Sequence, residues 1–404
     1  MRDWIVQERN VTWLEDVFDA NWLPSEALQH FTLRRKSHTQ QLGIEVPGYV
    51  GVIGLKNGDR LRIEPKYPTS FMSLLAVCYN INLERIGLVQ ASQGNQDASL
   101  QLIIRSFIKG LAEINSNGAL FTWKKGFVTS SFGVSDTDWT QTLIRVKQHS
   151  PVPFAGKQTQ RIFDTPERRV LSFAARKALN EVENITLSKN DSALVNKFIF
   201  DNDHRHIQDD LRAVSERLAS DHYHGQRSYY AQPLRMALIL LGFNGITYES
   251  KSDFQSEGFL VNSDDLFEEW VRVKLRSVIT EECMPYSVQK ERRNNKQFFI
   301  DKNYYLIPDV LIYLGANIVA IGDAKNKTPS IDDFYQMFTY INMYKQKRGI
   351  IIAADGGPGL SVEDSIEELH AREGLDVTIN VYHLDMSNME KCDELFRRAV
   401  HWLF

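Results

Sequence analysis

Residues 307–327, IPDVLIYLGANIVAIGDAKNK, restrict the fold more than any other part of this chain. Two apolar runs flank a short turn containing Gly315, and charge appears only toward their outer ends, the pattern of two antiparallel strands. The strands are expected at Tyr304 to Tyr313 and Asn317 to Ala324. Side chains alternate along a strand, so Asp323 and Lys325 project to one face, where the hairpin can bring Asp309 beside them. Two carboxylates that close repel and raise each other's pKa unless a cation sits between them. The arrangement therefore makes sense as a hard divalent-ion site, with Mg²⁺ the natural occupant and Mn²⁺ a substitute. Such an ion polarises a phosphodiester and acidifies a bound water, while Lys325 orients that water or stabilises charge developing on the phosphate. These are the parts of a nuclease.

Helices on either side extend the set. In Leu266-Phe267-Glu268-Glu269-Trp270, Glu268 can bring a third carboxylate from the preceding helix, although Glu269 is adjacent and either acid could be a solvated helix residue. Gln336 and Tyr340 stand i, i+4 on the following helix and share a face. Gln336 can hold a phosphate or the lysine, and Tyr340 can add a hydroxyl. The alternative for these two is a surface amide and a packing aromatic. Lys290, Arg292, Arg293, Lys296 and Lys302, offset by Glu291 and Asp301, form either a DNA-backbone strip or a solvated hairpin.

The rest of the chain divides by pattern. At 404 residues it is too long for one core. Segment 1–163 reads as a β-rich mixed domain, with a hairpin in which Val50, Val52, Leu61 and Ile63 flank the turn pair Asn57-Gly58. Two core helices follow, one through Phe71, Leu74, Leu75 and Cys78, the other through Ile104, Phe107, Leu111 and Ile114. Segment 164–258 reads as helical: Asp164 or Thr165 can cap a helix opening at Pro166, and Ile207, Leu211, Val214 and Leu218 mark another. Segment 259–404 reads as a self-contained α/β domain, so the whole is an α/β chain of α+β organisation.

The net charge of −4 provides no global polycation, so any nucleic-acid binding must be local. Cys78, Cys283 and Cys392 are too scattered for a disulfide framework or a zinc site. His204-x-His206 and His222-x-His224 lack a paired acid or cysteine and read as solvated helix ends, while Lys66 reads as a strand-closing residue. The first residues lack the layout of a signal peptide, and the longest apolar run, Met236 to Leu241, cannot span a bilayer. A cytoplasmic protein is expected. No GxxxxGK[ST] loop occurs, since Ala155-Gly156-Lys157-Gln158 and Gly356-Gly357-Pro358-Gly359 both lack its elements.

PD at 308–309, DAK at 323–325 and QMFTY at 336–340 resemble the PD-(D/E)xK nuclease superfamily, in particular its branch with a QxxxY motif. Together with VGVIGLKNGDRLRIEPK, DTPERRVL and LFEEW, in this order, they resemble the McrC family, nuclease subunits of McrBC-type restriction systems specific for 5-methylcytosine. Arg168 departs from the asparagine frequent in the family after the DTPE turn. The resemblance implies a restriction-endonuclease-like domain acting on methylated double-stranded DNA beside a separate AAA+ GTPase, McrB-like, which the N-terminal domain docks and stimulates. On this reading Asp309 and Asp323 are the main metal ligands, Glu268 an auxiliary acid and Lys325 the catalytic lysine, with Gln336 and Tyr340 supporting them. Two other functions fit the same residues: a non-catalytic assembly and GTPase-activating subunit, and a nuclease that serves an ATP-driven motor on unmodified DNA.

Overall fold

The computed structural model describes residues 2–14, 18–24, 28, 31–36, 41–78, 97–180, 187–200, 207–220, 222–241, 258–290, 297–299, 302–371 and 376–404. Packing divides the chain into two compact units, Met1–Ser99 with Asn244–Phe404, and Leu100–Phe243. These do not coincide with segments 1–163, 164–258 and 259–404. The reason lies in Gly258–Asn262, a strand that pairs antiparallel with Tyr49–Gly54 and ties the C-terminal part into the N-terminal sheet.

In the first unit, that sheet runs in the order Asp3–Gln7, Arg60–Glu64, Tyr49–Gly54, Gly258–Asn262. Its core gathers Trp4, Val6, Ile44, Ile53, Leu61 and Ile63. The expected hairpin forms. Gly58 of the turn pair takes positive φ (87°), its N–H donates to the Leu55 carbonyl at 2.9 Å, and the connection 55–59 sets Ile53 opposite Leu61.

The C-terminal part of this unit holds a six-stranded sheet, whose elements we number within it: β1 Tyr286–Gln289, β2 Val310–Leu314, β3 Asn317–Lys325, β4 Arg348–Ala353, β5 Ile366–His370 and β6 Thr378–His383. The order is β1-β2-β3-β4-β6-β5, parallel from β3 through β4 to β6 and antiparallel at both edges. Helix α1 is Ser263–Glu281, α2 is Ile331–Met343 and α3 is Met389–Leu403. Met337 and Ile341 of α2 pack with Ile321, Ile351 and Val381, while Ile350, Ile352 and Tyr382 are buried from the alternate face. Both faces are covered, which explains the unbroken apolar run of β4. Trp270 of α1 meets Phe396 of α3 edge-on at 5.2 Å.

The single strand expected from Tyr304 to Tyr313 is two. Lys302–Tyr305 pairs with Gln297–Phe299, and β2 begins only at Val310, because Pro308 has no N–H for a ladder and disfavours regular structure before it. The Gly315 turn is as expected, with φ of 61° and Leu314 opposite Asn317.

In the second unit, helix Pro166–Asn180 starts at the expected proline. Thr165 is the cap, its hydroxyl accepting the Arg168 N–H at 3.3 Å, whereas Asp164 pairs with Arg169 at 2.8 Å. A long antiparallel pair, Thr122–Ser130 with Phe154–Ile162, exposes Trp123, Lys125, Phe127, Lys157 and Arg161. Beside it, helix Trp139–Lys147 is anchored by buried Thr142 but turns Trp139, Leu143 and Val146, at i, i+4 and i+7, to solvent. Among the described residues no helix is long and apolar enough to cross a membrane.

Candidate active site

β2 and β3 bring the two aspartates together as their alternation predicts. Asp309 stands where the chain enters β2, and its Oδ2 accepts the Ala324 N–H across the hairpin at 3.1 Å. Asp323 points inward from β3 and is 1% exposed, Asp309 9%. The two carboxyls lie close enough for the charge of Asp323 to act on Asp309. Burial first and the Asp323 charge second push Asp309 up to about 6. Burial raises Asp323 as well, against the pull of Lys325.

Lys325 sits two residues along the same face. Its Nζ lies 2.7 Å from Asp323 Oδ2 and 3.4 Å from Asp333 Oδ1, and donates to Gln336 Oε1 at 2.9 Å. Burial works against the ammonium, but the Asp323, Asp333 and Asp309 charges outweigh it and raise its pKa, so the lysine stays cationic. Gln336 Nε2 donates to the Tyr340 hydroxyl at 3.0 Å, and that hydroxyl donates to the Ile307 carbonyl at 3.3 Å. Gln336 thus contacts the lysine, and the chain of bonds returns to the segment before Asp309. Tyr340 is buried and its phenol raised, by burial first and then by the Asp323 and Asp309 charges, which keeps it a neutral donor.

Glu268 stands differently. Its Oε2 is 2.6 Å from Lys290 Nζ and 3.9 Å from Arg272 Nη1. Burial and then the charge of Asp309 raise its carboxyl, with Lys290 opposing. It is within electrostatic reach of Asp309 yet not closed upon it: among the described residues no three His, Cys, Asp or Glu side chains form a cage for a metal ion. Asp323 Oδ2 is buried and has its ammonium neighbour but no well-directed hydrogen bond, so it retains a lone pair to give. Two facing buried carboxyls with raised pKa values and such an oxygen fit a hard divalent cation.

Of the basic strip, Lys290 is engaged by Glu268; Arg292, Arg293 and Lys296 lie outside the described residues, and Lys302 is placed only as part of its strand. His222 and His224 are exposed, His204 and His206 lie outside the described residues, and the Lys66 N–H closes onto buried Glu8 at 3.2 Å. Two side chains in contact with the site were not foreseen. Asp333 reaches Lys325 as well as capping α2, where burial disfavours its charge but the Ser330 N–H and hydroxyl and Lys327 hold its carboxyl below the usual range. Its signal was the Ser-x-x-Asp capping pattern at Ser330. Arg272, 5% exposed on α1, donates from Nη1 to the Asp309 carbonyl at 2.9 Å.

The sequence family described as McrBC 5-methylcytosine restriction system component matches residues 44–352, a span that includes the whole Asp309–Tyr340 constellation. Among solved structures, a chain of the refined half-complex from a tetradecameric assembly of Thermococcus gammatolerans McrB AAA+ hexamers with bound McrC is similar with a TM-score of 0.54 and 16% identity, covering 100% of both chains. A chain of the Thermococcus gammatolerans McrBC complex gives a TM-score of 0.42 and 15% identity over 69% of this chain and 88% of that one. The first of these likenesses shows the fold. No curated protein matches the chain.

Proposed function

Because the chain belongs to the family of McrBC 5-methylcytosine restriction system components, we propose that it is that system's DNA endonuclease subunit, working with a separate AAA+ GTPase of the McrB kind. The observation that carries this reading is the convergence of Asp309, Asp323 and Lys325, with Nζ 2.7 Å from Asp323 and braced by Gln336. Mg²⁺ held by Asp309 and Asp323, with Glu268 as auxiliary acid, would supply Lewis-acid polarisation of the phosphodiester and a more acidic water. The protein's own residues do the rest. Lys325, kept cationic by three acids and oriented by Gln336, faces the negative charge that grows on the phosphate. Tyr340 keeps Gln336 and the Ile307 segment in register with the lysine. Nucleotide hydrolysis belongs to the partner, since this sequence has no phosphate-binding loop. The exposed stripe Trp139, Leu143, Val146 is the proposed docking surface for that partner.

Asp309→Ala and Lys325→Ala are expected to lower Mg²⁺-dependent cleavage of methylated double-stranded DNA by about 10²-fold or more while preserving partner binding. Unchanged cleavage by the purified variant complexes would sink the assignment. Exchanging GTP for ATP, and methylated for unmethylated DNA, in the same assay separates this reading from a nuclease serving an ATP-driven motor. The non-catalytic reading draws on the engagement of Glu268 by Lys290 and predicts GTPase stimulation with no cleavage by the wild type.

A further inference from the structure

We propose that Arg272 is a positioning residue of the cleavage site: it fixes the main chain that carries Asp309 and separates the neighbouring acids, Glu269 for structure and Glu268 for the site. The inference rests on the nuclease reading and concerns a residue outside its reacting set.

A buried guanidinium is expensive unless its donors are used, and here they are. Nε and Nη2 donate to Glu269 Oε2 at 3.0 and 2.8 Å, and Nη1 donates to the Asp309 carbonyl at 2.9 Å. The planar fork makes both ends rigid at once: the helix-borne acid holds the guanidinium, and the guanidinium holds the loop. That loop needs holding. Residues 306–309 lie between strands, and Pro308 supplies no N–H. Its carbonyls are met by side chains instead, Ile307 by Tyr340 and Asp309 by Arg272. With the Ala324 N–H on its carboxylate, Asp309 is pinned at backbone and side chain together, against the repulsion of Asp323. The same fork sorts the two acids. Glu269 has Oε2 committed to Arg272 twice, whereas Glu268 has Arg272 only at 3.9 Å and feels the charge of Asp309.

Arg272→Lys keeps the charge but cannot reach Glu269 and the Asp309 carbonyl together. In the purified complex it is expected to lower kcat about 10- to 100-fold, with KM for DNA within about twofold. Mn²⁺ binding to the DNA-free protein, followed by electron paramagnetic resonance, is expected to weaken about tenfold. Glu269→Gln, which leaves the Asp309 contact in place, is expected to stay within about threefold of wild type in both measurements, and Glu268→Gln to lose cleavage. A merely structural arginine would lower the melting temperature and leave kcat of the folded fraction and Mn²⁺ affinity at wild-type values; that result overturns the proposal, as does Glu269→Gln proving as damaging as Glu268→Gln. If wild type itself fails to cleave, the nuclease reading falls, while the Mn²⁺ titration, which needs no turnover, still decides whether Arg272 sets Asp309.

Discussion

Asp309 holds its charge against its surroundings. Burial and the charge of Asp323 raise its carboxyl from 3.8 to about 6. A carboxyl that binds its proton more tightly in the folded than in the unfolded chain makes stability fall as pH rises between those two values, and the deficit persists above them. Asparagine has nearly the same shape, can still accept the Ala324 N–H, and carries no charge. Asp309→Asn is therefore expected to be more stable than wild type at pH 7.5, by at most about 3 kcal/mol, and to melt at a higher temperature, with the gain vanishing below pH 4, while cleavage is lost. Thermal melts at the two pH values check this, and a variant less stable at pH 7.5 contradicts it. The same shift predicts that cleavage at limiting Mg²⁺ climbs as pH rises through about 6, and that added Mg²⁺ moves the climb to lower pH by competing with the proton. At this scale the sequence was informative where chemistry follows a local period. Asp309, Asp323 and Lys325 come from strand alternation and a tight turn, Gln336 and Tyr340 from one helix face. Asp333 and Arg272 escaped because each looks like an ordinary helix residue, a cap and an i, i+4 partner, until the fold brings Lys325 and Asp309 to them.

Helix α2 carries three side chains of the site, and its seat on the sheet is a glycine. A Cβ at Gly349 would meet Met337 Cε at 2.2 Å and Ile341 Cδ1 at 2.7 Å, so the buried side chains of the helix occupy the space that a side chain at this position would need. Gly349→Val is expected to destabilise the protein by about 1–3 kcal/mol and, by lifting Gln336 and Tyr340 away from Lys325, to lower cleavage beyond what the unfolded fraction explains. Denaturant titration together with kcat per folded molecule tests it; a stability loss with full activity would show the helix position to be unimportant. Elements read well from the sequence where one apolar helical face marks them, as in α1 and α2, or an unbroken apolar run, as in β3 and β4. They read poorly where a long-range partner decides. Gly258–Asn262 is a strand because Tyr49–Gly54 offers it an edge, and β5, Ile-Glu-Glu-Leu-His, has mostly exposed side chains at the sheet's rim and shows no buried alternation. Pro308 was visible, and its break in the strand at 306–309 follows from the missing N–H.

Over the whole molecule, the charge of −4 averages surfaces with different tasks. In the first unit, acids gather around a lysine at one end of a buried sheet. In the second, an exposed antiparallel strand pair alternates aromatic and basic side chains, Trp123 opposite Arg161 and Phe127 opposite Lys157, beside a helix whose apolar stripe faces outward. The domain boundaries were hard to read because the chain leaves the first unit and returns to it, and no composition shift marks a return. If the stripe is where the AAA+ partner docks, its large aromatic should dominate the contact, since buried tryptophans carry a disproportionate share of interface energy. Trp139 and Leu143 are 66% and 59% exposed, so replacing both by alanine is expected to change folding stability by no more than about 0.5 kcal/mol each. Affinity for the partner should fall at least about 30-fold, the equivalent of about 2 kcal/mol. Mn²⁺ binding at Asp309 and Asp323 should be untouched, because those residues belong to the other unit. Surface plasmon resonance with the immobilised partner measures the first quantity and electron paramagnetic resonance the second. Wild-type partner affinity in the double variant would move the docking surface elsewhere; loss of both affinities together would mean that the two units do not divide the work in this way.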